Sequence, residues 1–348
     1  MMPDKVTSLQ VAERAGVSQS AVSRVFTPGA SASQKTAEKV RKAAEELGYR
    51  PNSLARAMVS GRSRIIGLVV AYLENHFYPD ALEILSNALQ EQGYHVLVFM
   101  TSRRPGNIDD AVEEILDYQV DGIVTASVSM SSDLTRRCIQ AGVPVVQFNR
   151  LQEGLDITCV TSDNFDGGRE MAQFLVAGGH EKIAYIAGWE GASTQRDREA
   201  GFRAGLAEQD HALFAREVGN FDSDQARLAA NVMFNVPVEK RPDAVFVAND
   251  HMAFAVMDEL RFGLGLKVPA DVSVVAFDDV PPSAWRAYNL TTMRQRANLM
   301  VRETVDALMA QIDHPGSIRP RNIAIKAPLI VRGSARVPEN WPHDKGQQ

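Results

Sequence analysis

The chain between positions 18 and 26 carries a row of amide, hydroxyl and guanidinium groups at helical spacing. The row consists of Gln19, Ser20, Ser23 and Arg24. Amide and guanidinium groups can form paired hydrogen bonds with the edges of DNA bases, and a short helix fits the major groove. A small surface helix with a solvated polar face would carry the same residues. The row alone therefore allows both a DNA-reading helix and an ordinary surface helix.

Two short helices joined by a tight turn would position this row. Thr7 can cap the first helix, with Gln10 as the reciprocal partner of a capping box, and Gly16 ends that helix. Ser18 can cap the second helix, whose apolar side would pack inward. That apolar side consists of Ala21, Val22 and Val25. The pattern is a helix-turn-helix.

A third helix is predicted over residues 34–47. Ser33 can cap it and Gly48 closes it. Its apolar face would consist of Ala37, Val40, Ala44 and Leu47. We expect the three helices to form one small domain.

Charge is distributed unevenly along the 348 residues. Positions 1–64 contain 11 Lys and Arg against 5 Asp and Glu, whereas the remaining positions contain 26 against 38. A basic segment on an acidic body indicates a polyanionic partner for that segment alone. The change of sign coincides with the helix-turn-helix and favours the DNA-reading interpretation.

Six motifs identify a family. They are VAERAGVSQSAVSRV, GYRPNSLARAM, GGHEKIAYIAG, VANDHMA, VPADVSVVAFDD and LTTMRQ. With these motifs, the chain resembles the LacI-type bacterial transcription regulators, the lactose and galactose repressor family, from Val6 to about Val331. The resemblance implies a sequence-specific repressor whose affinity for double-stranded operator DNA is controlled by a small effector. An activator and a corepressor-dependent regulator with a non-sugar effector are the alternatives within the family.

The helix pattern and the resemblance together give a set of expected DNA contacts. The set is Thr7, Ser18, Gln19, Ser20, Ala21, Ser23, Arg24, Asn52, Ala55 and Met58. The segment 52–59 is too short to be stably helical alone in water. In the resembled family it is a hinge helix that pairs across a dimer and enters the minor groove. Met58 falls on the wedge position, which is commonly Leu in the family; a plain linker is the alternative.

From Ile65 onward, apolar runs alternate with helical patterns. Predicted buried parallel strands cover 65–71, 95–100, 121–126, 144–148, 182–187, 244–248 and 272–277. Predicted helices cover 79–92, 108–118, 134–140, 165–177, 194–208, 224–234, 252–261 and 297–312. Two successive α/β units imply two doubly wound lobes. The resemblance implies the type I periplasmic-binding-protein-like fold, in which the lobes flank a cleft.

The expected domain boundaries follow from these patterns and the resemblance. Residues 1–50 form the helix-turn-helix headpiece, and 51–64 form the hinge helix and linker. The first lobe takes 65–161 and 294–323, and the second lobe takes 162–293 and 324–334. Residues 335–348 form a polar tail, and we expect the chain from Ser334 to be poorly ordered.

Ligands of open parallel sheets bind beyond the carboxyl ends of the strands. The candidate effector residues there are Asn75, Phe77, Arg103, Asn149, Arg150, Arg198, Phe221, Asn249, Asp278 and Gln295. Planar polar groups can bind vicinal hydroxyls, and an aromatic face can contact the C–H side of a sugar ring. A sugar or sugar acid is therefore the expected effector.

By resemblance, four of these residues fall on effector-contacting positions of the family. They are Arg198, Asn249, Asp278 and Gln295. Phe221 falls on the aromatic wall and Asn149 on a position that is often Asp. Alternatives remain, because Asn249 and Asp278 could cap helices, and Arg103 and Arg150 could form surface salt bridges.

Other function classes lack their signals in this chain. A secreted sugar-binding protein would share the two lobes but needs a signal peptide, which MMPDKVTSLQ does not supply, so we expect a cytoplasmic protein. No run approaches the length of a membrane span. Gly263-Leu-Gly265 lacks the third glycine of a dinucleotide fingerprint, and no nucleotide, zinc or nucleophile-elbow motif is present. We expect no enzyme activity, no cofactor, no catalytic residues and no metal.

Two further expectations concern assembly and the cysteines. The family resemblance and the absence of leucine heptads after Ser334 favour a homodimer. Its apolar surface is expected to include Ile84, Leu85 and Leu89, although these residues could equally be core. Cys138 and Cys159 have no metal or redox spacing and are interpreted as small buried hydrophobes.

Overall fold

A computed structural model describes residues 6–27, 30–50, 62–71, 73–100, 107–128, 131–152, 154, 156–339 and 341. The chain forms two compact units, Met1–Arg64 and Ile65–Gln348. We call the first unit the head and the second unit the core unit. Among the described residues, no helix combines the length and the apolar character needed to cross a membrane.

The head contains the predicted helices α1 (Ser8–Ala15), α2 (Gln19–Phe26) and α3 (Gln34–Leu47). Thr7 and Gln10 form the predicted capping box, and Gly16 ends α1 in the left-handed conformation. Ser18 and Ser33 cap the next two helices through their hydroxyl oxygens. The helices pack around one small apolar core. It consists of Val11, Ala12, Val22, Val40, Ala43 and Ala44. The helix-turn-helix prediction is confirmed.

The first lobe of the core unit is built on a parallel six-stranded sheet. Its strands are β1 (Ile65–Val70), β2 (His95–Met100), β3 (Gly122–Ala126), β4 (Val145–Phe148), β5 (Thr158–Ser162) and β11 (Asn322–Ile325). The spatial order is β11-β5-β4-β3-β1-β2. The helices of this lobe are α4 (Phe77–Glu91), α5 (Asn107–Asp117), α6 (Ser132–Gln140) and α11 (Ala297–Asp313).

The second lobe is built on another six-stranded sheet. Its strands are β6 (Ile183–Ala187), β7 (Ala215–Val218), β8 (Ala244–Val247), β9 (Ser273–Asp278), β10 (Thr291–Arg294) and β12 (Leu329–Ile330). The order is β12-β10-β9-β8-β6-β7, and only the pairing of β12 with β10 is antiparallel among the described pairs. The helices are α7 (Asn164–Ala177), α8 (Ser193–Ala207), α9 (Ser223–Phe234) and α10 (Asp250–Asp258), which continues into a wider turn at Glu259–Gly263.

The sequence explains why both sheets are doubly wound. Strands β3, β4, β6, β8 and β9 are buried along their whole length. A parallel strand buried on both faces requires helices on both sides of its sheet. Right-handed crossovers then bring the carboxyl ends of neighbouring strands to one edge. The predicted two-lobed α/β fold is confirmed.

The chain passes between the two sheets three times, after β5, after β10 and between β11 and β12. The predicted boundary between residues 323 and 324 is wrong, because it falls inside β11, which pairs with β5 through Asn322 opposite Cys159. The last passage lies at residues 326–328. The residues of β11 lie at the sheet edge and alternate between exposed and half-buried. The sequence therefore shows no apolar run that marks where this strand ends.

The segment after β12 corrects a second expectation. Ser334 is buried, accepts a hydrogen bond from Thr291 N at 2.8 Å and donates one to Val274 O at 2.6 Å. The ring of Trp341 contacts that of Phe174 edge to face, with centroids 5.1 Å apart. Residues 334–339 and 341 are therefore packed on the second lobe instead of forming a poorly ordered tail. We call this segment the C-terminal strap.

A third correction concerns the predicted dimer surface. Leu85 and Leu89 of α4 are buried in the core of the unit, and Ile84 is only partly exposed. The two leucines are therefore core residues and cannot supply an exposed surface. Cys138 and Cys159 are both buried, as expected for small apolar residues.

Candidate functional site

The predicted polar row lies on the surface of the head. All four of its side chains, at positions 19, 20, 23 and 24, are exposed. Gln19 Nε2 donates to Ser8 Oγ at 2.9 Å, and the hydroxyls of Ser18 and Ser20 are 2.9 Å apart. Val22 and part of Ala21 face inward, as predicted. The predicted DNA residues Asn52, Ala55 and Met58 lie outside the described residues.

A cavity lies between the two lobes, at the carboxyl ends of the strands. Its lining consists of Asn75, Tyr78, Ser127, Asn149, Arg150, Thr194, Arg198, Phe221, Asn249 and Asp278. Its volume is about 10 Å³, which is room for about one water molecule. The lining is rich in amides and hydroxyls and includes two guanidinium groups and one carboxylate. The two lobes are therefore closed around a small polar cavity.

Arg198, on α8, is held from several directions. Its Nε donates to Asn164 Oδ1 at 2.8 Å, its Nη1 to Ala248 O at 2.6 Å and its Nη2 to Asp278 Oδ1 at 3.3 Å. Its guanidinium carbon lies 3.8 Å from the centroid of the Phe277 ring. Every nitrogen of the guanidinium has an acceptor, and its plane contacts an aromatic face. The anionic partner of Arg198 is therefore Asp278.

Asp278 ends β9 and joins both lobes. Its Oδ1 also accepts a hydrogen bond from Gln295 Nε2 at 2.7 Å, and its Oδ2 accepts one from Asn75 Nδ2 of the first lobe at 3.1 Å. Burial raises the pKa of Asp278, and the guanidinium of Arg198 opposes that rise. Asp278 does not cap a helix, so that alternative is excluded for this residue.

A second buried carboxylate lies behind the cavity at the start of α10. Asp250 accepts hydrogen bonds from Val280 N at 3.0 Å and from the hydroxyls of Ser283 and Thr292, both at 2.6 Å. Burial and the nearby charge of Asp278 raise the pKa of Asp250 to about 7. Because three protein donors already satisfy it, Asp250 supports the loop after β9 and does not line the cavity.

The first lobe presents a separate polar group. Asn149 Nδ2 donates to Tyr78 Oη at 3.2 Å, whereas Asn149 Oδ1 is buried and accepts no hydrogen bond from the described residues. Arg150 Nη2 donates to Ser127 O at 3.0 Å and to Ser127 Oγ at 3.2 Å. Burial raises the pKa of the Tyr78 hydroxyl, so this group stays protonated at neutral pH. A bound molecule could donate to Asn149 Oδ1.

Several lining residues have strained backbones. Ser127, Asn149, Phe221 and Asp278 all have positive φ, at 61°, 55°, 56° and 133°. Such conformations are costly for residues with side chains and concentrate at functional sites. Three of the four residues lie at the carboxyl ends of β3, β4 and β9. The strain therefore marks the same edge that the topology selects.

Among the hydrogen bonds that join the lobes, two lie beside the cavity. One is the bond from Asn75 to Asp278, and the other runs from Leu151 N to Ser193 Oγ at 2.9 Å. The guanidinium of Arg150 also lies 5.7 Å from the ring of Trp189 on the second lobe. Opening the cleft must break these contacts.

The structure brings most of the predicted effector residues to this cavity. Those in the lining are Asn75, Asn149, Arg150, Arg198, Phe221, Asn249 and Asp278. Asn249 also caps α10 by accepting a hydrogen bond from Met252 N. It therefore both caps a helix, as the alternative prediction had it, and lines the cavity. Arg150 is buried, which removes its surface salt-bridge alternative.

Three predicted effector residues do not line the cavity. Phe77 is core, with its ring stacked on that of Phe148 at 6.1 Å. Gln295 lies behind Asp278 and accepts a hydrogen bond from Ser162 Oγ at 2.9 Å. Arg103 lies outside the described residues.

Three lining residues were absent from the predicted effector set: Tyr78, Ser127 and Thr194. Ser127 directly follows β3, a position that the strand-end rule identifies. Tyr78 and Thr194 lie in the first turns of α4 and α8. The signal for these two is their position at the start of a helix that follows a strand of the cleft.

Comparison with known proteins agrees with both units. Residues 9–52 match the model of the bacterial regulatory proteins of the lacI family, and residues 172–335 match the periplasmic binding protein-like domain. The HTH-type transcriptional repressor PurR of Vibrio campbellii (strain ATCC BAA-1116) is 31% identical over 337 residues, which are 95% of this chain and 98% of that protein.

Solved structures give the same result. The lac repressor dimer bound to operator and the anti-inducer ONPF has a TM-score of 0.85 at 29% identity, over 95% of this chain and 99% of that one. A complex of the transcriptional regulator CelR with cellobiose has a TM-score of 0.70 at 29% identity, over 95% and 100%. The chain therefore belongs to the lacI family of bacterial transcriptional regulators.

Proposed function

We propose that this protein is a dimeric transcriptional repressor whose affinity for operator DNA changes when a small sugar-like effector binds between its lobes. The observation that carries the proposal is the buried network of Arg198, Asp278 and Asn75. It joins the two lobes through polar groups at the edge where a ligand binds in such sheets. A ligand that enters there must act on the relative position of the lobes.

The lining supports a polyhydroxylated effector. Amides and hydroxyls, as on Asn149, Thr194 and Asn249, can both donate to and accept from sugar hydroxyl groups. Phe221 supplies a nearly buried aromatic wall for the C–H face of a ring. The solved structure of CelR is a complex with cellobiose, which supports a carbohydrate as the class of ligand.

Among sugar-like effectors, the charges of the lining favour sugar acids. Arg150 and Arg198 face the cavity together with Asp278, which supplies the single carboxylate among the described lining residues. A carboxylate on the effector could accept paired hydrogen bonds from one of these guanidinium groups. We therefore place uronates and aldonates ahead of neutral sugars.

Coupling follows from the size of the closed cavity. About 10 Å³ cannot hold a sugar ring, so the effector must separate Asn75 from Asp278 and then bridge the lobes itself. The new lobe position would reset the hinge segments 52–59 of the dimer, where DNA contacts are expected from Asn52, Ala55 and Met58. Coupling of this kind is typically about 1–3 kcal/mol, or about 5- to 150-fold in DNA affinity.

The head would supply the sequence-specific contacts with operator DNA. Gln19, Ser20 and Arg24 are exposed at the helix that would enter the major groove. Thr7, Ser18, Ala21 and Ser23 complete the proposed contact surface. We assign the protein no catalytic step and place its action in the cytoplasm, where its operator DNA is.

Thermal unfolding with matched ligands tests the effector. The panel pairs glucuronate with glucose, galacturonate with galactose and gluconate with sorbitol. A ligand at 100 times its Kd stabilises the native state by about 2.7 kcal/mol. We expect an acid to raise the Tm and to change operator affinity, and the variant Arg198→Met to lose both responses. Stabilisation by a neutral partner alone would reject the acid preference, and stabilisation without any change in DNA affinity would reject the coupling.

A further inference from the structure

A hydrogen bond links the first residues of two helices in the head. Gln19, the first residue of α2, donates from Nε2 to Oγ of Ser8, the first residue of α1, over 2.9 Å. Ser8 is not the cap of α1, because Thr7 accepts from Gln10 N in that role. The bond therefore does not serve the end of the helix. Its effect is to fix the direction of the Gln19 side chain.

The bond leaves the recognition groups of Gln19 available. A primary amide has two N–H donors and one carbonyl acceptor, and the bond to Ser8 uses one donor. The remaining N–H and Oε1 are the pair that matches N7 and the N6 amino group of adenine in the major groove. Gln19 is exposed in the first turn of the second helix, the part of a helix-turn-helix that meets the bases.

The neighbouring hydroxyl is engaged differently. Ser20 Oγ lies 2.9 Å from Ser18 Oγ, and Ser18 Oγ in turn accepts from Ala21 N. Ser20 is thus tied to the cap of its own helix, whereas Gln19 is tied to the other helix. In the first turn of α2, Gln19 is the side chain that retains a complete donor–acceptor pair.

We propose that Ser8 is a positioning residue that holds Gln19 ready to read an adenine in each operator half-site. The inference rests on the proposed function, since it requires operator binding by the head. A long side chain loses rotamer freedom when it makes a contact, which costs about 2- to 12-fold in affinity per side chain. The hydrogen bond to Ser8 already restricts the rotamers of Gln19 in the free protein, so less rotamer freedom is lost when DNA binds. Because only a site with adenine engages Gln19, the gain appears as discrimination between bases.

The test is selection from a random double-stranded DNA library by the purified full-length protein, followed by competition binding. Each position of one half-site of the selected sequence is then replaced in turn. We expect one adenine whose replacement weakens wild-type binding about 5- to 150-fold. Gln19→Ala should remove the preference at that position alone. Ser8→Ala should lower it about 2- to 12-fold, and Ser8→Thr, which keeps the hydroxyl, should restore it.

Ser31→Ala is the matched control, since Ser31 is another exposed serine of the head outside the proposed contact surface. The Tm of Ser8→Ala should equal that of the control. An equal loss of affinity for every sequence in Ser8→Ala would assign Ser8 to a phosphate and overturn the proposal. A selected site with no adenine that depends on Gln19 would overturn it while leaving the proposed function intact. Failure of the wild-type protein to enrich any sequence would overturn both.

Discussion

The head and the cleft both carry polar side chains at their proposed binding surfaces, but they hold them in opposite ways. In the head, the capping bonds join residues three positions apart on an exposed surface, as between Thr7 and Gln10. In the cleft, buried bonds join Arg198 to Asp278 and Asn75 to Asp278, which are 80 and 203 positions apart. The head can therefore change what it binds with little effect on folding, whereas the cleft cannot.

Arg198→Met should produce the largest effect and would sharpen this contrast. The variant leaves the buried carboxylate of Asp278 without the guanidinium of Arg198. Loss of one partner of a buried ion pair typically costs about 3–5 kcal/mol in the free energy of unfolding. Urea denaturation should show that loss in the free energy of unfolding, and effector stabilisation should disappear. The double variant Arg198→Met with Asp278→Asn removes both charges and should regain much of the stability without regaining the effector response. A single variant as stable as wild type would contradict the assigned role of the network.

Arg24→Ala should have the opposite pattern of effects, with little loss of stability and a large loss of operator affinity. Arg24 is exposed, so the free energy of unfolding should stay within about 0.5 kcal/mol of wild type. Operator affinity should fall by about 1–3 kcal/mol for each half-site, because a guanidinium that contacts a base edge is lost. Fluorescence anisotropy with a selected operator measures the fall, and Arg227→Ala, an exposed arginine of the second lobe, is the control. Unchanged operator specificity would exclude α2 as the reading helix.

The buried Asp250 should make the stability of the core unit depend on pH. Its pKa of about 7 in the folded protein lies above the ordinary value of 3.8, so the folded state binds the proton more tightly. Stability from this group is complete below about pH 4, falls as the pH rises toward 7 and is constant above. In Asp250→Asn, the free energy of unfolding should fall by at least about 1 kcal/mol less than in the wild type between about pH 4 and about pH 7. The exposed Asp210→Asn should leave it unchanged, and equal slopes in both variants would refute the assignment.

Asn75→Ala should give the smallest effect. It removes the hydrogen bond to Asp278 across the lobes and the one that Asn75 Oδ1 accepts from Phe77 N within the first lobe. Each loss should cost about 0.5–1.5 kcal/mol in the free energy of unfolding. Because the bond to Asp278 helps to close the effector-free cleft, small-angle X-ray scattering should show a larger radius of gyration. Ser193→Ala, which removes the other cross-lobe acceptor, should act in the same direction. A radius unchanged in both variants would mean that these bonds do not determine closure.

The contrast also explains what could be predicted from the sequence. Helix caps such as Thr7, Ser18 and Ser33 act on residues three positions away, so their roles were visible in the sequence. Strands β1, β3, β4, β6, β8 and β9 followed from continuous apolar runs. Strands β5 and β10 were not predicted although they are mostly buried, because their threonines interrupt the apolar pattern. Strand β7 was not predicted, because its half-buried residues at the sheet edge include Arg216 and Glu217 and show no apolar run.

The cleft was only partly predictable. The rule for strand ends located Asn149, Asn249 and Asp278, because it depends on topology and not on individual contacts. The rule could not show that Gln295 supports Asp278 from behind, or that Phe77 stacks on Phe148. Those roles depend on which side chains meet after folding. The C-terminal strap was missed for the same reason, since Trp341 finds Phe174 only in the folded second lobe.

The three passages between the lobes also bear on how the protein is synthesised. The head has all of its core residues once position 49 has been made, but the first sheet lacks β11 until residue 325 and the second lacks β12 until residue 330. At about 5–20 residues per second, the ribosome needs roughly 15–60 s for that interval. A nascent chain therefore carries a complete head well before either lobe can finish its sheet, and the unfinished apolar strands of the core unit are the segments that a chaperone would protect.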